Sequence, residues 1–96
     1  MRISETTVET IKVHCGISGN DKDTLNLIEV YKSAAIAKIC AYTALTREEL
    51  DEHEDITYAF LALIDEMFSV REMTVEIDRI NPMAAQILDS HRGNLL

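Results

Sequence analysis

The residues that could do chemistry begin with His53-Glu54, the opening pair of the zinc-protease pattern HExxH. That pattern needs a second histidine one helical turn later, so that both imidazoles face the same metal ion. This chain has Thr57 at that position. The pair therefore does not predict metal-dependent hydrolysis.

A run of carboxylates surrounds the same pair. The stretch from Arg47 to Asp55 carries a net charge of −5, out of −8 for the whole chain. Carboxylates could gather a divalent cation weakly, but these lack the fixed spacing and the turn glycine of a calcium loop. We interpret them as a solvated acidic face made of Glu48, Glu49, Asp51, Glu52, Glu54 and Asp55.

The other reactive side chains are dispersed along the chain. His14, His53 and His91 are far apart in sequence, and none is next to an obvious nucleophile. Cys15 and Cys40 lie in predicted helices without CxxC spacing, which favours two small buried residues in a reducing compartment over a disulfide or a nucleophilic thiol. With no phosphate loop, dinucleotide fingerprint or nucleophile elbow, the sequence predicts no catalytic, cofactor-binding or metal-binding residue.

Composition limits the class of protein that could carry these side chains. The 96 residues are 47% hydrophobic and 27% charged, with 3 Gly and 1 Pro, which predicts one helical domain rather than a turn-rich β fold. No apolar run approaches the length of a membrane span, and the N-terminus lacks the apolar core of a signal peptide. We expect a cytoplasmic protein, and the net charge of −8 makes general nucleic-acid binding improbable.

The fold expected from these patterns is all-α, a small bundle of about four helices around one long central helix. Apolar residues recur at helical spacing from Asp23 to Tyr42, and Asp21 precedes them as a candidate cap. The other predicted helices run from a Ser4 cap to about His14 or Cys15 before Gly16, from about Ile56 to Arg71, and from Pro82 after Asn81 to about His91.

Two stretches remain ambiguous in this prediction. The acidic segment between the second and third helices could be a short helical turn capped by Thr46, or a mobile loop. Residues Glu72 to Ile80 alternate like a strand at first and then become polar like a loop.

The third predicted helix is apolar around most of its circumference. A helix of that kind must be covered on more than one side, which is hard to arrange within so small a monomer. A partner subunit is the simplest cover, and we expect the subunit interface to include Tyr58, Leu61, Phe68 and Arg71.

Several recognisable segments follow one another along nearly the whole chain. In order, they are ISETTVETIKVHCGI (Ile3 to Ile17), DKDTLNLIE (Asp21 to Glu29), ICAYT (Ile39 to Thr43), FSVRE (Phe68 to Glu72), the Asn81-Pro82 start and ILDSHR (Ile87 to Arg92). Together they resemble the small head-tail connector (adaptor) proteins of tailed bacteriophages, also called DNA-packaging or head-completion proteins. Members often have glycine after the Tyr-Thr pair of the third segment, where this chain has Ala44.

The resemblance implies a structural virion protein and not an enzyme. Such proteins form a ring of about twelve copies on the portal, extend the DNA channel, and carry the stopper or tail-completion protein. DNA passes through without specific binding, no membrane is involved, and the location is the head-tail junction, assembled in the bacterial cytoplasm. The C-terminal segment from about residue 81 to 96 would dock on the portal through Met83, Ile87, Leu88, Arg92, Leu95 and Leu96.

Two other classes remain open from the residues alone. A small helical phage or bacterial regulator could act through protein-protein contacts, although no helix is basic enough to read DNA. A small enzyme or metal-binding protein is the third possibility, and titration with metal ions would identify it.

Overall fold

The computed structural model describes residues 2–70 and 82–91, and all the regular structure within those ranges is helical. The small all-α bundle predicted from the sequence is confirmed. After a 3₁₀ turn at Ile3–Glu5, the helices are α1 (Val8–Cys15), α2 (Lys22–Thr43), α3 (Arg47–Leu50), α4 (Glu54–Val70) and α5 (Pro82–Ser90).

The start of the first helix differs from the prediction. Ser4 lies in the 3₁₀ turn, and Thr7 caps α1 by accepting the backbone N–H of Thr10 on its hydroxyl oxygen at 3.2 Å. Ser4 instead donates its backbone N–H to Asp51 Oδ1 at 3.0 Å, which ties the first turn to a distant part of the chain. The predicted stop is confirmed, since Gly16 ends α1 in the left-handed conformation with φ 69°.

The long helix α2 has the predicted ends. Asp21 caps it, accepting the backbone N–H of Thr24 at 3.1 Å and the Thr24 hydroxyl at 2.8 Å. It ends at Thr43, and the following residue, Ala44, has φ 62°. This left-handed conformation is one that alanine adopts only at a cost, because its Cβ crowds the backbone.

The acidic segment forms the capped helical turn, one of its two predicted alternatives. The backbone N–H of Glu49 donates to the Thr46 hydroxyl oxygen at 3.2 Å, and the backbone N–H of Thr46 donates to Glu49 Oε1 at 3.0 Å. Each residue thus satisfies an N–H that the short helix α3 leaves free. Leu50 is fully buried and fixes α3 to the core.

Helix α4 is the most buried helix, and the chain itself covers it. It packs against α1, α2, α5 and the first 3₁₀ turn. These four elements of the same chain cover much of α4, so its apolar character does not by itself require a partner subunit. Its fully buried residues are Ile56, Ala59, Phe60, Leu63, Ile64 and Met67.

Some predictions fall on residues outside the described ranges. These are the ambiguous stretch from Glu72 to Ile80, the Asn81 cap, and the predicted contact residues Arg71, Arg92, Leu95 and Leu96.

Candidate interaction surfaces and the histidine cluster

The acidic face lies on α3 and the first turn of α4. Glu48, Glu49, Glu52, Glu54 and Asp55 are exposed, and Asp51 is half-buried. Hydrogen bonding to Ser4, helped by the nearby Arg2 guanidinium, holds the pKa of Asp51 below its usual value. The face is therefore anchored to the N-terminal turn and is a fixed surface with strong negative charge.

The predicted docking residues on α5 differ in their exposure. Leu88 and Ala84 are fully buried within the chain, so Leu88 does not offer surface to a partner, contrary to the expectation. Met83 is 62% exposed and Ile87 is half-buried. Of the predicted docking residues within the described ranges, Met83 is thus accessible and Ile87 is partly accessible.

The predicted subunit-interface residues on α4 also differ in their exposure. Tyr58 is 41% exposed, and Leu61 is half-buried. Phe68 packs edge-on against Tyr31 of α2, with ring centroids 4.7 Å apart. Phe68 therefore contributes to the packing of its own chain, and Tyr58 is the most exposed large apolar side chain of α4 between Glu54 and Ser69.

Exposed apolar residues outside these predictions lie on α1 and α2. Val13 is 83% exposed and Val30 is 48% exposed. Single exposed apolar residues are common on protein surfaces, and no pattern in the sequence distinguished these two from core positions.

Neither cysteine has the properties of a nucleophile. Both thiols are free and half-buried. Burial, together with the charge and hydrogen bond of Asp65, raises the pKa of Cys15 to about 11. Burial also raises the pKa of Cys40. Because the thiolate is the reactive form, both side chains are poorly reactive near neutral pH.

The structure brings together three side chains that the sequence separates. His91 Nε2 lies 2.9 Å from Asp55 Oδ2 and 3.0 Å from Asp55 Oδ1. The rings of His53 and His91 have centroids 4.3 Å apart, at an angle of 42°. We call His53, Asp55 and His91 the histidine cluster. One ligand atom from each of them lies within 4.8 Å of those of the other two.

The helix ends position this cluster. His53 immediately precedes α4, Asp55 is in its first turn, and His91 immediately follows α5. The end of α5 thus meets the start of α4, while the Tyr42 hydroxyl donates to the Asp89 carboxylate and links the same end of α5 to α2. His53 and Asp55 are close in any fold, but His91 joins them only because α5 packs back along α4.

No known protein family, curated protein or solved structure matches this chain. Among the helices of residues 2–70 and 82–91, none combines the length and apolar content needed to cross a bilayer.

Proposed function

We propose that the chain is a subunit of a tailed-phage head-tail connector, which assembles as a ring on the portal and extends the DNA channel. The observation that supports this most is the position of the resembling segments. DKDTL contains the cap of α2, ICAYT is its last turn, and ILDSHR spans the end of α5. Segments at helix ends determine how a bundle is connected, so they are informative about the fold they belong to.

The backbone conformation of Ala44 explains why connector proteins often have glycine at this position. The residue after the Tyr-Thr pair has φ 62°, a conformation that glycine adopts without strain. Glycine is the residue that the connector proteins often have there. The departure in this chain is therefore a change of residue type at a position that still has the conformation suited to glycine.

The acidic face is compatible with a DNA channel. A surface that lets DNA slide should not hold phosphates, and carboxylates repel them. The face is fixed to the N-terminal turn through Ser4 and Asp51, so its charge keeps a constant position in the subunit. On this proposal it borders the lumen or the rim of the ring.

The proposed contacts follow from what the chain leaves exposed. A ring of identical subunits needs two different complementary surfaces on each copy. Tyr58, with Leu61 beside it in sequence, offers an apolar surface on α4. Met83 and Ile87 are the proposed contacts with the portal within the described ranges. Arg92, Leu95 and Leu96, also proposed as portal contacts, lie outside those ranges.

The first experiment measures assembly directly. Absolute mass by light scattering over a wide concentration range, with negative-stain images, should show rings of about a dozen subunits, either alone or when the portal protein of the same genome is added. Met83→Asp should weaken portal binding at least 10-fold. Val13→Asp is the matched control, because it changes an exposed apolar residue on a different helix and should leave binding unchanged.

A stable two-fold dimer that forms no ring and does not bind the portal would contradict the proposal. The helical regulator acting through protein contacts would then be the better interpretation, and the next experiment would search for its protein partner.

A further inference from the structure

We propose that His53, Asp55 and His91 bind one divalent transition-metal ion, with Zn²⁺ as the best chemical match. Two imidazoles and a carboxylate are a common ligand set for zinc, and they leave a further position for water or another ligand. Nothing in this inference depends on the connector function, because the cluster lies within a single chain.

The distances are close to those that a zinc site needs. With zinc-nitrogen bonds of about 2.0–2.1 Å, ligand atoms in a tetrahedral site lie roughly 3.3–3.5 Å apart. The His91 nitrogen is already 2.9 Å from Asp55 Oδ2, and no pair in the cluster exceeds 4.8 Å. Side-chain rotation would have to reduce the largest separation of ligand atoms from at most 4.8 Å to roughly 3.4 Å to place all three around one ion.

The surroundings favour a cation on balance. The stretch around His53 and Asp55 carries a net charge of −5. The C-terminal end of α5, next to His91, has the negative end of the helix dipole, whereas the start of α4 has the positive end and opposes a cation. The full charges of the carboxylates exceed the partial charge of one helix end.

The ion would join two parts of the chain that are distant in sequence. Its ligands lie at the start of α4 and immediately after α5, 36 residues apart for Asp55 and His91. The ion would bind the native chain and not the unfolded chain, because the unfolded chain does not hold the three ligands together. Binding would therefore stabilise the native fold. The metal would hold α5 against α4.

The test uses the full chain without a histidine tag, stripped of metal with a chelator. Calorimetric titration with ZnCl₂ should give one ion per chain. At a free zinc concentration about 100 times Kd, the melting temperature should rise by about 10–20 °C. With Co²⁺ in place of zinc, the wild-type protein should show the visible absorption of a tetrahedral site.

The three histidines provide matched variants. His53→Gln and His91→Gln should each weaken zinc binding by at least 10-fold. His14→Gln should leave it unchanged, since His14 is exposed on α1 and away from the cluster. The Co²⁺ spectrum of the wild-type protein tests the site even if a cluster variant fails to fold.

Three results would overturn the proposal. The first is the absence of zinc binding below millimolar concentrations. The second is equal loss of binding in His14→Gln and the cluster variants. The third is equal binding of Ca²⁺ and Zn²⁺, which would assign the ions to the acidic face alone, because Ca²⁺ prefers oxygen ligands. In each case the cluster would be a hydrogen-bonded contact between α4 and α5.

Discussion

Replacing Leu88 by alanine tests whether α5 belongs to the folded core of the single chain. Leu88 is fully buried, while Met83 on the same helix is 62% exposed. If α5 packs on α4 in solution as described, Leu88→Ala should strongly lower the free energy of unfolding and Met83→Ala should leave it nearly unchanged. If α5 folds only on a partner, both substitutions should leave the free chain almost unaffected.

The magnitude follows from the burial of the side chain. Leu→Ala removes three carbons, worth about 2.4 kcal/mol at about 0.8 kcal/mol for each buried carbon. The unfilled cavity adds to this, and buried leucines of this kind cost about 2.7–5.0 kcal/mol in total. Taking about 3 kcal/mol, the melting temperature of a domain of this size should fall by about 12–24 °C. Met83→Ala should stay within about 0.5 kcal/mol.

The assay is urea and thermal unfolding of both variants, followed by far-UV circular dichroism. The urea midpoint of Leu88→Ala should fall with an unchanged m-value, which would mean that stability changed and the unfolded reference did not. A loss below about 1 kcal/mol, or equal losses in the two variants, would refute the packing of α5 described above.

Three further predictions concern single positions. Ala44→Gly should raise the urea midpoint and increase the free energy of unfolding by about 0.5–1 kcal/mol, because about 1–2 kcal/mol of left-handed strain is removed and about 0.5–1 kcal/mol of extra unfolded-state entropy opposes the gain. Cys15 should react slowly with a thiol reagent at mildly alkaline pH, and Asp65→Asn should speed the reaction, since the Asp65 carboxylate contributes to the raised pKa. In an acid titration followed by circular dichroism, Asp51→Asn should flatten the low-pH loss of stability. The Ser4 hydrogen bonds lower the native pKa of Asp51 below its ordinary 3.8, so their stabilisation is full above pH 3.8 and is lost as pH falls through the native value.

Each of these predictions has a contrary result. A neutral or destabilising Ala44→Gly would mean that the end of α2 is not strained. Equal labelling rates with and without Asp65 would remove its carboxylate as a cause of the raised Cys15 pKa. An unchanged acid profile in Asp51→Asn would mean that the bond between Ser4 and Asp51 is absent in solution.

Local signals in the sequence were sufficient for most helix ends. Asp21 identified the start of α2 and Gly16 the end of α1, while Thr46 is the cap in one of the two alternatives predicted for the acidic segment. Capping chemistry involves residues within a few positions of one another, so it can be read without knowing the fold. The Ser4 prediction was wrong because Thr7, three residues later, is also a cap-forming type and caps α1. Ser4 instead lies in the 3₁₀ turn, with its backbone N–H bonded to the distant Asp51.

The features that the sequence did not predict depend on tertiary packing. The apolar character of α4 was evident, but whether its cover came from the same chain or from another could not be decided from periodicity. Leu88 and Met83 were both predicted as docking residues of the C-terminal segment, yet Leu88 is buried and Met83 is exposed. The histidine cluster was missed for the same reason, since His91 joins it only through the packing of α5 on α4.

The packing of α4 against four other elements of its own chain separates folding from assembly. A subunit whose core is closed by its own elements does not need a neighbour in order to fold, so its melting temperature should not depend on concentration while it remains monomeric. Its contacts with other copies can then be individually weak. Many weak contacts become strong together once a template holds the copies at high local concentration. If the chain is the connector proposed above, it would accumulate as folded monomers and assemble only where and when its template is complete.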